Sequence, residues 1–297
     1  MLEDLDNSVL NFNQDSLLLL NITLAIIMFG VALELRVADF KYILKEPKAF
    51  WLGIVAQFLV LPFLTWLLVL IINPPASVAL GMFLVAACPG GNVSNFLSHL
   101  SRGNTALSVS LTAFSTGGSI FFTPFNFALW ASFYEPTATM LKSISLSYFE
   151  VFQTVALILG IPLILGMLVN SKWPKWSEKA TKILKPLSIL IFAGFVVIAF
   201  LGNYDLFLKF ISLIFLWVLA HNFAALAAGF GVAKIGRLGI AETKTLTIET
   251  GIQNSGLALV LIFTYFDGLG GMAIIAAWWG IWHIISGFAV TAYFRRI

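Results

Sequence analysis

Long apolar runs separated by short polar segments dominate the sequence. A helix that crosses a membrane needs about 20 mostly apolar residues, and the chain contains nine runs of this kind. The predicted spans cover residues 16–34, 49–72, 76–100, 104–132, 143–169, 186–203, 206–232, 240–266 and 270–294. Turn-forming residues such as Asn73-Pro74-Pro75, Glu135-Pro136 and Asp267-Gly268 lie between them. The pattern predicts an all-α polytopic membrane protein whose single transmembrane domain covers residues 1–297.

Composition supports a membrane protein and excludes several other classes. Apolar residues make up 60% of the 297 positions and charged residues 10%, whereas soluble domains have roughly 45–50% and about 25%. The single cysteine, Cys88, excludes an intrachain disulfide and a cysteine-based metal cluster. The acidic N-terminal segment contains no Lys or Arg, so no cleaved signal peptide is predicted.

The distribution of basic residues predicts the orientation of the chain. In the nine-span arrangement, 15 of the 17 Lys and Arg residues lie on one side, and only Lys142 and Lys209 lie on the other. Basic loops are typical of the cytoplasmic side, which also explains the positive net charge without a nucleic-acid partner. We expect a multi-pass protein of the cell (inner) membrane with its N-terminus outside and its C-terminus in the cytoplasm. The basic segment 172–185 fits either an ordinary cytoplasmic loop or a lipid-binding patch.

Two polar clusters interrupt apolar spans. The first is CPGGNVSN, from Cys88 to Asn95, and the second is IETGIQNSG, from Ile248 to Gly256. Lipid cannot satisfy such groups, so they must face protein or a water-filled cavity. Pro89 removes an amide donor and the neighbouring glycines weaken the helix, which predicts a break in the first span. Gly251 and Gly256 are a softer signal for a break in the second. The affected spans are five apart, so a repeat that relates them is an inverted one, as in many secondary transporters.

Glu249 is the most informative residue of the second cluster. An ionised carboxylate at this depth costs roughly 2.5–3.5 kcal/mol, and no Lys or Arg is predicted at a similar depth. Either the carboxylate is protonated or paired in a structural role, or it binds a monovalent cation. Neutral oxygens at a similar depth would complete an all-oxygen site for a hard cation. They belong to Gln57, Ser94, Asn95, Ser108, Thr112 and Gln253.

The two clusters closely resemble the broken-helix motifs of the bile acid:sodium symporter family. AQFLVLP (56–62), RGNTALSVSLT (102–112) and WHIISG (282–287) resemble other landmarks of that family in the same order. The resemblance covers nearly the whole chain. It implies a core domain of residues 49–132 and 206–294, a panel domain of residues 16–34 and 143–203, and alternating movement of one against the other.

The resemblance also implies two bound sodium ions and a substrate site. One sodium site carries over to Ser94, Asn95, Ser108, Thr112 and Glu249. The second carries over to Gln57, Gln253, Glu249 and the backbone carbonyls of Thr250 and Ile252. Substrate contacts carry over to Asn92, Val93, Asn254, Ser255 and His283. The chain departs from the family's bacterial members at Ile284, where Asn often follows the histidine, and His283 taken alone fits a hydrogen-bonded helix-packing residue better.

The function expected from these features is sodium-coupled import of an organic anion, either bile acid-like or a small carboxylate. The predicted partners are this substrate, sodium and the lipid bilayer, with no obligate protein partner evident. Alternatives are a proton-coupled or uncoupled organic-anion transporter or exporter, and a non-transporting membrane receptor. Cys88 keeps a relationship to arsenite exporters open. No catalytic set is present in the sequence, so we do not expect an enzyme.

Overall fold

The computed structural model describes residues 3–6, the positions 22, 25, 26, 29, 30, 32 and 33, and the ranges 47–91, 93–143, 148–202 and 204–296. Its helices are α1 Glu3–Asp6, α2 Pro47–Val55, a π-helical segment Ala56–Val60, α3 Leu61–Ile72, α4 Ala76–Ala87, α5 Val93–Leu100, α6 Thr105–Ser132, α7 Glu135–Ser143, α8 Tyr148–Lys172, α9 Pro174–Gly202, α10 Tyr204–Ile235, α11 Ile240–Gly251, α12 Ser255–Tyr265 and α13 Gly270–Phe294. The described chain contains no β-sheet, only one isolated bridge.

Four described helices are long and apolar enough to cross a membrane. They cover Pro47–Ile72, Thr105–Ser132, Ile214–Ile235 and Gly270–Phe294, while Ala76–Ala87, Gly160–Lys172 and Ser255–Tyr265 are shorter apolar helices. These elements agree with the all-α polytopic class predicted from hydropathy. The first predicted span, 16–34, lies largely outside the described residues.

Both predicted interruptions are present. The span 76–100 is divided into α4 and α5, and the span 240–266 is divided into α11 and α12. The first helix stops at Cys88, whose backbone is extended, immediately before Pro89. The second helix restarts after Asn254, whose side chain accepts a hydrogen bond from the Leu257 amide (3.1 Å) and caps α12.

Two loop predictions were wrong. The basic segment 172–185 is not a loop beyond Trp173, because α9 begins at Pro174, twelve residues before the predicted start of that span. Its lysines lower the hydropathy but suit an exposed helix face, and Lys182 forms an i,i+4 ion pair with Glu178 (3.1 Å). The connection near Glu135 also contains a helix, α7, which the turn signal Glu135-Pro136 obscures because Pro is well tolerated in a first helical turn.

The half-helices α4 and α12 form the centre of the main hydrophobic core. All twelve residues of α4 are buried, together with apolar residues of α3, α6, α10 and α13. The N-terminus of α4 is capped by Asp6, whose carboxylate accepts from the amides of Ser77 (2.7 Å) and Ala76 (3.3 Å). Burial of α4 on all sides holds its broken end, and with it the first polar cluster, inside the protein.

Lys244 is a buried lysine in the first half of the second broken helix, not a loop residue. It lies within α11, is buried, and donates through Nζ to the carbonyls of Phe294 (2.6 Å) and Ser101 (3.4 Å). A cation at the last carbonyls of α13 is favourable because these groups carry the negative end of the helix dipole. The side chain thereby fixes the end of the last helix to the start of the second broken helix.

Candidate functional site

The two helix breaks meet in the interior and bond directly to each other. Gly90 and Gln253 form an isolated antiparallel bridge. The Gly91 amide donates to the Ile252 carbonyl (2.9 Å), and the Asn254 amide donates to the Pro89 carbonyl (2.9 Å). Backbone groups released by the breaks are therefore satisfied across the crossing, as they must be away from water.

Glu249 lies two residues before the end of α11 and faces the first half of the crossing. Its side chain is only 4% exposed. Oε1 accepts hydrogen bonds from the hydroxyls of Ser94 (2.6 Å) and Ser108, and the Thr112 hydroxyl lies 3.1 Å from Oε2. Among the residues that the structure describes, no Lys or Arg forms an ion pair with this carboxylate. Its neighbours are neutral oxygen atoms.

Asn95 completes this group. Its Oδ1 accepts from the hydroxyls of Ser108 (2.9 Å) and Thr112 (3.1 Å). The carboxylate, this amide and the three hydroxyls present six oxygen atoms but only three hydroxyl protons. Such an excess of oxygen acceptors around one negative charge suits a hard monovalent cation.

The number of carboxylates in this group bears on the charge of the ion that it could bind. No set of three or more His, Cys, Asp or Glu side chains that could hold a metal occurs in the described part of the chain. Calcium sites usually draw on several carboxylates. One carboxylate with hydroxyl and amide oxygens therefore fits a singly charged ion better than a doubly charged one.

Gly90 allows the crossing to approach the carboxylate. A Cβ atom at this position would lie 3.0 Å from Oε2 of Glu249 and 3.5 Å from the Glu249 carbonyl oxygen. The first distance is tight for a carbon atom and the second is an ordinary contact, so a side chain here would require a small shift of either the carboxylate or the first break. The glycine thus has a steric role in addition to weakening the helix.

Gln57 and Gln253 form a second buried group. Gln57 Nε2 donates to Gln253 Oε1 (2.6 Å) and to the Cys88 carbonyl (3.0 Å), and Gln253 Nε2 donates to the Thr250 carbonyl (2.8 Å). The Ile252 carbonyl accepts from Gly91. The structure therefore brings these members of the predicted second set together. Among the described residues, no hydrogen bond joins Glu249 to either glutamine.

The backbone at Gln57 is π-helical, which the sequence did not indicate. The segment Ala56–Val60 interrupts an otherwise continuous helix from Pro47 to Ile72. Pro62 follows in the next turn and has no amide hydrogen to donate, which favours irregular hydrogen bonding before it. Single π-turns inside α-helices are frequent at functional sites, and this one carries the glutamine that bonds to both breaks.

The predicted substrate residues differ in accessibility. Val93, the first residue of α5, is 37% exposed, and Asn254 is partly exposed while it caps α12. Ser255 and His283 are buried, with Ser255 lying against α13 where Gly280 leaves room for its hydroxyl. Asn92 lies outside the described residues.

Two further polar side chains bind the carbonyl ends of the breaks and were not singled out from sequence. Thr123 of α6 donates to the Ala87 carbonyl (2.9 Å), and Asn222 of α10 donates to the Gly251 carbonyl (2.8 Å). Each meets the last turn of the first half of a broken helix, where carbonyls lack intrahelical donors. The sequence shows both as polar residues within apolar runs. It does not show which carbonyls they bind, because those carbonyls lie far away in the chain.

This architecture defines a class of protein. Discontinuous helices that meet within a multi-pass helical protein, with a carboxylate and neutral oxygens at the crossing, are the arrangement of secondary transporters. The comparisons with known proteins agree. Residues 21–210 match the model of the Sodium Bile acid symporter family, and the chain belongs to that family.

Individual relatives cover most of the chain. The chain is 33% identical over 277 residues to the "Uncharacterized sodium-dependent transporter YocS" of Bacillus subtilis (strain 168), an alignment that covers 93% of this chain and 83% of that protein. Identity is 31% to the "Probable sodium/metabolite cotransporter BASS2, chloroplastic" of Oryza sativa subsp. japonica, over 88% of this chain and 64% of that protein. It is 28% to the "Ileal sodium/bile acid cotransporter" of Oryctolagus cuniculus, over 84% of this chain and 70% of that protein.

These relationships establish the broad function. The family and these relatives are transporters, so the protein is a multi-pass membrane transporter and not an enzyme. Sodium use is supported at the level of the family by the named sodium-dependent relatives. The chain spans less than two thirds of the rice protein's length.

Proposed function

We propose that the protein imports an organic anion across the cell membrane together with sodium, by alternating access. The observation that carries this proposal is the buried Glu249 carboxylate, which lies at the crossing of two broken helices among neutral oxygen atoms. A carboxylate without a cationic side chain nearby is costly in a membrane. Sodium would neutralise it and so link ion binding to the geometry of the crossing.

Two sodium ions are proposed, as in the resemblance described above. The first would be held by Ser94, Asn95, Ser108, Thr112 and Glu249, which the hydrogen bonds already bring together. The second would be held by Gln57, Gln253, Glu249 and the carbonyls of Thr250 and Ile252. To bind the second ion, the side-chain amides of Gln57 and Gln253 would rotate so that their oxygen atoms face the ion. This rotation would break the present Gln57–Gln253 hydrogen bond.

The substrate would bind at the exposed side of the crossing. Half-helices α5 and α12 begin there, and the positive end of a helix dipole favours an anionic group. Val93 and Asn254 offer accessible surface at these starts; Asn92, Ser255 and His283 complete the proposed contact set. A carboxylate or sulfonate is the chemical group expected to face the two helix starts.

The proposed movement separates the chain into two parts. Residues 49–132 and 206–294 would form the core that carries the ions, and residues 16–34 and 143–203 would form the panel. The bonds between the two breaks support motion of the crossing as one unit, because a relative shift of the halves would break both Gly91–Ile252 and Asn254–Pro89. Nine spans, an inverted repeat, an external N-terminus and a cytoplasmic C-terminus belong to the same proposal.

A proton-coupled mechanism is the main alternative. A relay through Glu249 needs a second titratable group in hydrogen-bond contact, whereas the described partners of this carboxylate are hydroxyls. The group of neutral oxygens is unnecessary for a proton and suits sodium. This contrast favours sodium coupling.

Purified protein in liposomes provides the test. A panel of bile acids and small carboxylates is first screened by thermal shift with sodium or potassium at equal ionic strength, and each stabilising compound is then used for uptake. We expect uptake to follow an inward sodium gradient and to be unaffected by a proton gradient of similar size. Uptake that follows only the proton gradient would establish the alternative, and the absence of any sodium-dependent thermal shift would contradict the proposed sites.

A further inference from the structure

Asn222 lies within the long helix α10 and is 1% exposed. Its Nδ2 donates to the Gly251 carbonyl over 2.8 Å, and its Oδ1 accepts from the Ser286 hydroxyl of α13 over 2.5 Å. Both ends of the amide are therefore used, each with a different helix. The side chain joins α10, the second break and α13.

The carbonyl that Asn222 binds belongs to the peptide at the end of α11. Gly251 is the last residue of that helix, and its neighbours Thr250 and Ile252 supply the carbonyls proposed for the second sodium ion. Peptide units are planar, so fixing the direction of one carbonyl restricts the torsion angles through which the adjacent ones turn. A hydrogen bond to Gly251 is consequently a means of aiming its neighbours.

Side-chain packing at the same place leaves little freedom for the break. Leu226, one helical turn after Asn222, occupies the space where a Cβ atom on Gly251 would be. Such close packing would hold α10 against α11 without any hydrogen bond. A second close contact lies further along, where Gly229 leaves room for the Leu246 backbone. A primary amide in the interior of a membrane helix is costly unless it is hydrogen-bonded. Because Leu226 already packs the two helices together, we assign the Asn222 amide the role of orienting the Gly251 carbonyl.

We infer that Asn222 is a positioning residue for sodium, with Ser286 orienting its amide. Asn222 holds the Gly251 carbonyl and so restricts the neighbouring Thr250 and Ile252 carbonyls, which would bind the second ion. The inference rests on the proposed sodium-coupled function and adds two residues that are outside the proposed ligand sets. Residues behind metal ligands typically change metal affinity by about 10- to 100-fold when they are altered.

The experiment measures the sodium concentration at the midpoint of sodium-dependent thermal stabilisation, with potassium keeping the ionic strength constant. Asn222→Leu removes both hydrogen bonds, and Asn126→Leu is the matched control. Asn126 is also buried, but its hydrogen bonds among the described residues stay within α6, to the Phe122 carbonyl (3.0 Å) and from the Trp130 ring nitrogen (3.2 Å). We expect Asn222→Leu to raise the midpoint by about tenfold or more, and Asn126→Leu to lower the melting temperature at every sodium concentration without moving the midpoint.

Ser286 supplies a second, milder pair of variants. Ser286→Ala removes the donor to Asn222, whereas Ser286→Thr retains a hydroxyl, so the midpoint should rise in the first and return toward wild type in the second. This pair decides the matter if Asn222→Leu does not fold. An unchanged midpoint in Asn222→Leu or in Ser286→Ala, with wild type responding normally, overturns the inference; a wild type that does not respond to sodium instead overturns the proposed function.

Discussion

A Cβ atom on Gly90 would lie 3.0 Å from Oε2 of Glu249, so the backbone of the first break rests directly against the carboxylate of the second broken helix. The contact joins residues 159 positions apart in the chain, from 90 to 249. It makes the position of the carboxylate depend on a residue that contributes no ligand.

Gly90→Ala should therefore weaken sodium binding. The added methyl group must push the carboxylate away from the Ser94 and Thr112 hydroxyls or open the crossing, and we expect a midpoint about tenfold higher in sodium titrations followed by thermal unfolding. Gly231→Ala is the control, because a Cβ atom there meets nothing within 4 Å. An unchanged midpoint in Gly90→Ala would mean that the crossing can shift to admit a methyl group without disturbing sodium binding.

Glu249→Gln should abolish sodium-dependent stabilisation while the protein remains folded. Without sodium the variant should be at least as stable as wild type, since an uncompensated carboxylate at this depth costs roughly 2.5–3.5 kcal/mol. Thermal unfolding in sodium and in potassium measures both effects. Glu242→Gln tests the same helix outside the crossing, where the carboxylate accepts from Asn104 Nδ2 (2.9 Å); it should keep the wild-type response.

Sodium and substrate should strengthen each other's binding by the same factor. A coupling free energy of roughly 1–3 kcal/mol is typical, and calorimetric titration of substrate at two sodium concentrations measures it. Gln57→Ala and Gln253→Ala should each reduce the coupling, because both side chains belong to the second sodium set. Equal substrate affinity at both sodium concentrations in wild type would show that sodium is not coupled to transport.

Asn254 should affect the substrate and not the ions. Asn254→Ser retains a side-chain oxygen that can cap α12, whereas Asn254→Ala loses the bond to the Leu257 amide and should cost about 1 kcal/mol of stability. Both variants should bind substrate more weakly, and only the second should melt earlier. Substrate titration and thermal unfolding at saturating sodium distinguish these effects, and wild-type substrate affinity in both would remove Asn254 from the substrate site.

The two termini should lie on opposite sides of the membrane. Reporter fusions that are active only in the cytoplasm should give signal at the C-terminus and none at the N-terminus, as expected from the 15 basic residues on one predicted side. Signal at both termini would contradict nine spans. A fusion after Gly202 adds an internal check, since it should report the external side.

The sequence was sufficient for features that depend on local composition. Hydropathy placed most of the described long helices to within a few residues, and Pro89 with its adjacent glycines located the first break. It failed at the start of α9, because lysines lower hydropathy without opposing a helix. It also gave no sign of the π-turn, since AQFLV is compatible with an ordinary apolar helix.

Long-range contacts could not be read from sequence. Asn222 was indistinguishable from other isolated polar residues until its bond to Gly251 was seen, 29 positions away. Gly90 was interpreted only as a weak helix former, because its second role depends on where Glu249 lies. Polar residues at membrane depth indicate Glu249 and most of its proposed co-ligands, but their division into two sodium sites rests on the family resemblance.

The π-turn at Gln57 has a consequence for changes of length in this segment. One residue more than in an α-turn is accommodated there, whereas one extra residue in a regular α-helix would rotate everything after it by about 100°. The π-turn therefore lets the helix before it and the helix after it keep their faces, and Phe50 stays against Phe114, whose ring centroid lies 5.3 Å away. Deletion of one residue between 58 and 60 should restore a regular helix and leave both flanks in place, but it should remove the widened turn from which Gln57 reaches both breaks.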